Sequence, residues 1–127
     1  MNMKLLIVDD SSVMQRTIQK NLVDYGLEIV GTASNGIQAI ELVKKHKPDV
    51  ITMDITMPEM DGITCLENIM AIHPDTKVMM ITALSDKLTG LQALEKGARG
   101  FIYKPVNSEN LTRALDKLLK RKVSGSQ

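Results

Sequence analysis

A chain of 127 residues holds one domain of ordinary size, and a composition 43% hydrophobic and 24% charged excludes a disordered chain. The net charge of +1 gives no general pull towards nucleic acid or a membrane surface, and the one cysteine, Cys65, excludes an internal disulfide. With no apolar run near membrane-spanning length and no secretion signal at the start, a cytoplasmic domain with no direct nucleic-acid or membrane partner is expected.

Residues 5–8 (Leu-Leu-Ile-Val) read as a buried first strand closed by Asp9 and Asp10. Ser11 and Ser12 offer a helix N-cap. Val13, Met14, Ile18, Leu22 and Tyr25 then recur at helical spacing, so a first helix is expected to reach about Tyr25 and stop at Gly26. Residues 27–33 predict a second strand, shorter and more polar. Asn35-Gly36 turns the chain into a second helix marked by Ile37, Ile40 and Val43, which Pro48 ends. Residues 50–54 (Val-Ile-Thr-Met-Asp) are a third apolar run ending on a carboxylate, Asp54.

A third helix is expected to carry Ile63, Leu66, Ile69 and Met70 and to break at His73-Pro74. A fourth strand spans 77–82 and ends on Thr82. The helix after it, with Leu88, Leu91 and Leu94 as its apolar positions, is weaker, because the interior Gly90 costs about 1 kcal/mol relative to alanine. Residues 100–103 predict a fifth strand, followed by Lys104-Pro105. A last helix starts near Asn107-Ser108 and carries Leu111, Ala114, Leu115, Leu118 and Leu119. Residues 121–127 read as a polar tail, leaving one domain over 4–120. Strict alternation of short buried strands with amphipathic helices implies an α/β fold, a parallel sheet with helices on both faces.

In such a sheet all strand ends of one sense share a rim, which collects Asp9, Asp10, Asp54, Thr82 and Lys104. Three carboxylates there repel one another unless a cation sits among them. Oxygen donors with no histidine or cysteine nearby favour Mg²⁺, with Mn²⁺ as the alternative. A phosphoryl group is then the natural further ligand, with Thr82 to hydrogen-bond it, Lys104 to pair with it and Asp54 as the nucleophile.

The residues Ile7-Val8-Asp9-Asp10-Ser11, Met53-Asp54 with Met57-Pro58 and Asp61-Gly62, Ile81-Thr82-Ala83 and Tyr103-Lys104-Pro105 together resemble the signature of a response-regulator receiver domain of the stand-alone, CheY-like kind. The match runs over about residues 4–120 with all five elements in order. It implies the flavodoxin-like (βα)5 sandwich with strand order 2-1-3-4-5. It further implies that Asp54 is phosphorylated by a sensor histidine kinase. Asp10, Asp54 and the Thr56 carbonyl would ligate Mg²⁺, with Asp9 supporting it through water. Lys104 would contact the phosphoryl group, Thr82 and Phe101 would form a switch pair, and the Lys104-Pro105 peptide would commonly be cis. Such a domain is a phosphoacceptor rather than a turnover enzyme. Its switched surface, built from the fourth helix, fifth strand and fifth helix, would be read by a separate output protein such as the flagellar motor switch, and a phosphatase is a further potential partner.

Three positions bear on how this chain departs from frequent family choices. Phe101 stands where tyrosine is common and has no hydroxyl. Thr56 and Leu84 occupy positions that tune phosphate lifetime, and the apolar Leu84 cannot orient an attacking water, which implies slow self-hydrolysis. Rival readings are a receiver module of a longer regulator, with 123–127 opening a linker, and a Mg²⁺-dependent aspartyl phosphatase. The phosphatase group needs a carboxylate where Thr56 stands. A flavodoxin is disfavoured because the acidic Asp9-Asp10 loop repels phosphate. His46 and His73 read as helix-end surface residues, Cys65 as packing, and the Lys117, Lys120, Arg121 and Lys122 cluster as a solvated helix end.

Overall fold

Residues 3–120 are described by the computed structural model, so the expected tail at 121–127, with Arg121 and Lys122, lies outside the described residues. The five apolar runs become β1 (Met3–Val8), β2 (Leu27–Ala33), β3 (Val50–Asp54), β4 (Lys77–Thr82) and β5 (Gly100–Tyr103). Between and after them lie α1 (Ser12–Asn21), α2 (Gly36–His46), α3 (Gly62–Ile72), α4 (Lys87–Glu95) and α5 (Ser108–Leu119). All strand pairs are parallel, in the order β2-β1-β3-β4-β5. The flavodoxin-like (βα)5 expectation is met.

The pleat explains why these strands read as unbroken apolar runs. Successive side chains point to opposite faces, and both faces are covered. Leu6, Val8, Ile51, Met53, Val78 and Met80 pack with α2, α3 and α4 through Val43, Leu66, Ile69 and Ala93. Leu5, Ile7, Val50, Met79 and Ile81 face the other way, onto Ile18, Leu111 and Leu115 of α1 and α5. Because every strand pair is parallel, all C-terminal strand ends lie on one rim.

Side-chain caps set several helix starts. Ser11, Asn35, Asp61 and Asn107 each accept a hydrogen bond from the backbone three residues on. The His73 ring lies 3.0 Å from the Pro48 carbonyl and ties the end of α3 to the loop before β3, a structural role at a helix end. Cys65 is buried in the core, which pushes its thiol up to about 12.

Five sequence expectations need correction, four of them small. α1 ends at Asn21 rather than near Tyr25, and the turn that follows reaches Gly26 at φ +91. Val13, expected on its apolar face, is 63% exposed, one residue into α1. Ile37 is likewise exposed at the start of α2. β2 has seven residues and is longer than the other strands; its half-buried pattern reflects its place at the sheet edge.

The largest difference is in α4. Leu88 is 77% exposed, and Leu91 and Leu94 are exposed too, while the buried positions are Gly90 and Ala93. The small residues face inward because the Phe101 ring fills that space: a Cβ on Gly90 would come within 3.1 Å of it. The helix is turned by what its neighbour leaves room for, against the apparent apolar stripe. No helix among the described residues is long and apolar enough to cross a membrane.

Candidate functional site

β1 and β3 are register neighbours, Val8 beside Met53, so the residues that follow converge on the rim. Asp9 is 1% exposed and Asp54 3%, while Asp10 is exposed. One carboxylate oxygen from each lies within 4.8 Å of the others. Lys104, delivered by β5, places its Nζ 3.2 Å from Asp54 Oδ1. The Lys104-Pro105 peptide is cis, as the resemblance implied.

The surroundings are unequal. Asp9 Oδ1 accepts the Ser11 amide at 2.9 Å, while Asp9 Oδ2 is buried without a partner. Burial pushes the Asp9 carboxyl up to about 6, against the lowering effect of the Ser11 amide and with help from the nearby Asp54 charge. Burial also raises Asp54, although the Lys104 ammonium and the Thr56 amide, which donates to its carboxylate, oppose this.

This donor set fits a hard divalent cation. It offers only oxygen, it concentrates like charge in a low-dielectric rim, and it leaves a buried carboxylate oxygen unsatisfied. Exposed Asp10 keeps one side open to water, as an ion that retains part of its hydration requires.

Thr82 is buried at the end of β4, and its hydroxyl donates to the Ala83 carbonyl at 3.2 Å. Phe101, half-buried, meets Tyr103 edge-on with centroids 5.5 Å apart and rests against Gly90 of α4. Thr56 touches Asp54 through its amide. The backbone of Leu84 enters a 3-10 turn (Leu84–Asp86), but its side chain lies outside the described residues. The rim thus gathers Asp9, Asp10, Asp54, Thr56, Thr82 and Lys104, while Phe101 lies within β5 against Gly90 of α4.

Three contributors escaped sequence reasoning. Gly62 donates its amide to the Ile55 carbonyl at 2.7 Å and sits so close beneath the site that a Cβ would lie 2.6 Å from the Asp54 carbonyl oxygen. Its place in the Asp61-Gly62 motif was the available signal. Tyr103 flanks Phe101 two residues along the same strand face, a period-2 relation. Gln15, whose Nε2 donates to the Asp9 carbonyl at 2.7 Å, gave no signal, being one polar residue of an amphipathic helix.

The chain matches the response regulator receiver domain over residues 5–116. It is similar to the chemotaxis protein CheY of Bacillus subtilis, 43% identical over 116 residues that cover 91% of this chain and 97% of that protein. It is 43% identical over 129 residues to a protein-glutamate methylesterase/protein-glutamine glutaminase of Photobacterium profundum, covering 97% of this chain but 32% of that protein. Among solved structures it resembles the CheX-CheY-BeF3-Mg²⁺ complex from Borrelia burgdorferi, with a TM-score of 0.88, 37% identity, and coverage of 92% of this chain and 89% of that one. With the parallel sheet, the carboxylate rim and a family match over nearly the whole length, the chain belongs to the response regulator receiver domain family.

Proposed function

We propose that Asp54 accepts a phosphoryl group from a phosphohistidine of a sensor histidine kinase, and that the domain then acts as a two-state switch for a separate output protein. The observation that carries this reading is the pairing of buried Asp54 with Lys104 beside two further carboxylates. An Asp54 carboxylate oxygen attacks phosphorus, the phosphorus–nitrogen bond breaks, and its electron pair leaves with the imidazole. Lys104 keeps its charge and transfers its contact from the Asp54 carboxylate to the phosphoryl oxygens. Asp9, Asp10, Asp54 and the Thr56 carbonyl would hold Mg²⁺, which when bound neutralises the charge that develops on the transferring group. The domain assists its own phosphorylation and dephosphorylation without turning over a separate substrate.

The switch follows from Thr82. Its hydroxyl leaves the Ala83 carbonyl for a phosphoryl oxygen, and the volume it vacates admits Phe101. The Phe101 ring lies against Gly90, so its movement releases the constraint that turns α4. The exposed α4 leucines and a groove of about 450 Å³ between β5 and α5, lined in part by Arg99, Tyr103, Arg113 and Lys117, form the surface then presented. Similarity to CheY proteins supports a chemotaxis output such as the flagellar motor switch, with a phosphatase as a further partner.

A second reading is favoured by the methylesterase relative, of which this chain spans about a third: the same switch would then control an attached domain. An aspartyl phosphatase is disfavoured, since Thr56 stands where its general acid is needed. The switch is tested by NMR after adding beryllofluoride with Mg²⁺. Amide shifts are expected at Thr82, Phe101 and throughout α4. Shifts confined to Asp9, Asp10 and Asp54 would contradict it.

A further inference from the structure

We propose that Gln15 is a positioning residue for the metal-binding carboxylates, acting through the peptide that joins Asp9 to Asp10; this rests on the reading that the rim binds a divalent cation. The pairing of β1 with β3 ends at Val8 and Met53, one residue before Asp9. The Asp9 carbonyl therefore lies past the ladder. Gln15 Nε2 reaches back from the first turns of α1 and donates to that carbonyl at 2.7 Å. The same nitrogen lies 3.3 Å from both the Ala33 carbonyl and Ser34 Oγ.

The consequence comes from peptide planarity. The Asp9 carbonyl belongs to a rigid unit that includes the Asp10 nitrogen, so with the chain held on either side by the Asp9 and Ser11 amides, turning that carbonyl would change ψ of Asp9 and φ of Asp10 together. One side chain thereby restrains the peptide that links two carboxylates, one buried and one exposed, that must converge on a single ion. The Asp9 amide donates to the Ala33 carbonyl at 2.9 Å, so both ends of Asp9 are tied to the end of β2, one directly and one through Gln15. The loop beyond is itself held, because the Ser34 amide donates to Gln38 Oε1 at 2.8 Å. Gln15 is thus the member that joins the α1 entry, the carboxylate pair and the β2–α2 loop.

The test is Mg²⁺ titration of the full chain by calorimetry, with acetyl-phosphate labelling as a second readout. Gln15→Met keeps the length of the side chain and removes the donor. Its Mg²⁺ dissociation constant should rise roughly tenfold, as for loss of an outer partner of a metal ligand. Labelling at saturating Mg²⁺ should return to the wild-type rate, because a misplaced carboxylate pair is compensated by occupancy. An unchanged dissociation constant, or a labelling loss that saturating Mg²⁺ does not repair, would overturn the inference. If Gln15→Met does not fold, Gln15→Asn, which keeps the amide one methylene short, is read by the same two measures. Absence of Mg²⁺ binding by the wild-type chain would instead overturn the cation reading on which this one rests.

Discussion

Asp9 carries a conflict that its own fold does not resolve. It is buried, holds one satisfied oxygen and one orphan, and its carboxyl is pushed up to about 6 mainly by burial. The sign of the pH effect follows from this. Between the ordinary carboxylate value of 3.8 and about 6, the folded metal-free protein binds more protons at Asp9 than the unfolded chain does. This contribution is present below 3.8 and is lost as pH rises through 6. Asp54, also raised, acts in the same direction. Thermal unfolding in a chelator should therefore give a higher Tm near pH 5 than near pH 7.5, and Asp9→Asn should flatten the difference. A flat profile in the wild type, or one unchanged by Asp9→Asn, would contradict this account of the rim. Added Mg²⁺ should work against protonation, binding more tightly as pH rises from 5 to 7.

At the scale of elements, the loop between β3 and α3 decides how Asp54 is held. Gly62 lies under the Asp54 peptide, where a Cβ would meet the Asp54 carbonyl oxygen at 2.6 Å and the Ile55 Cα at 2.7 Å. Both obstacles are backbone and cannot rotate aside. Gly62→Ala should destabilise the fold by about 1–3 kcal/mol, the usual range for forced overpacking, although alanine is the better helix former. Urea denaturation measures this; a neutral or stabilising effect would show that the loop yields freely. The strands were legible in the sequence because burial on both faces writes them as continuous apolar runs. The acidic ends of β1 and β3 were legible because a carboxylate after such a run needs a reason. The face of α4 was not. Leu88, Leu91 and Leu94 suggested an inward stripe, yet the Phe101 ring admits only Gly90 and Ala93 there, and no pattern within α4 records the shape of its neighbour. Gln15 was illegible for a related reason: its role depends on where β1 and β2 end in space.

Across the whole molecule, the two packed faces hold different kinds of element. α1 and α5 close one face with fully buried Ile18, Leu111 and Leu115, and α2 and α3 anchor the other with Val43, Leu66 and Ile69. α4 is set apart: its N-cap Asp86 makes no side-chain cap hydrogen bond, its leucines face solvent, and it meets the core through Ala93 and Gly90. An element with so little buried apolar surface is one that a small change at Phe101 can displace, whereas the sheet that carries the carboxylates stays fixed. The proposed function would thus use a firmly held rim for the chemistry and a loosely seated helix for the readout. The proposed function stands on Asp54 as the phosphoacceptor. Intact-mass spectrometry after incubation with Mg²⁺ and acetyl phosphate tests this directly. One added phosphoryl group is expected, held over many minutes and absent in Asp54→Asn. Labelling that persists in Asp54→Asn, or continuous release of phosphate with no labelled protein, would contradict the account.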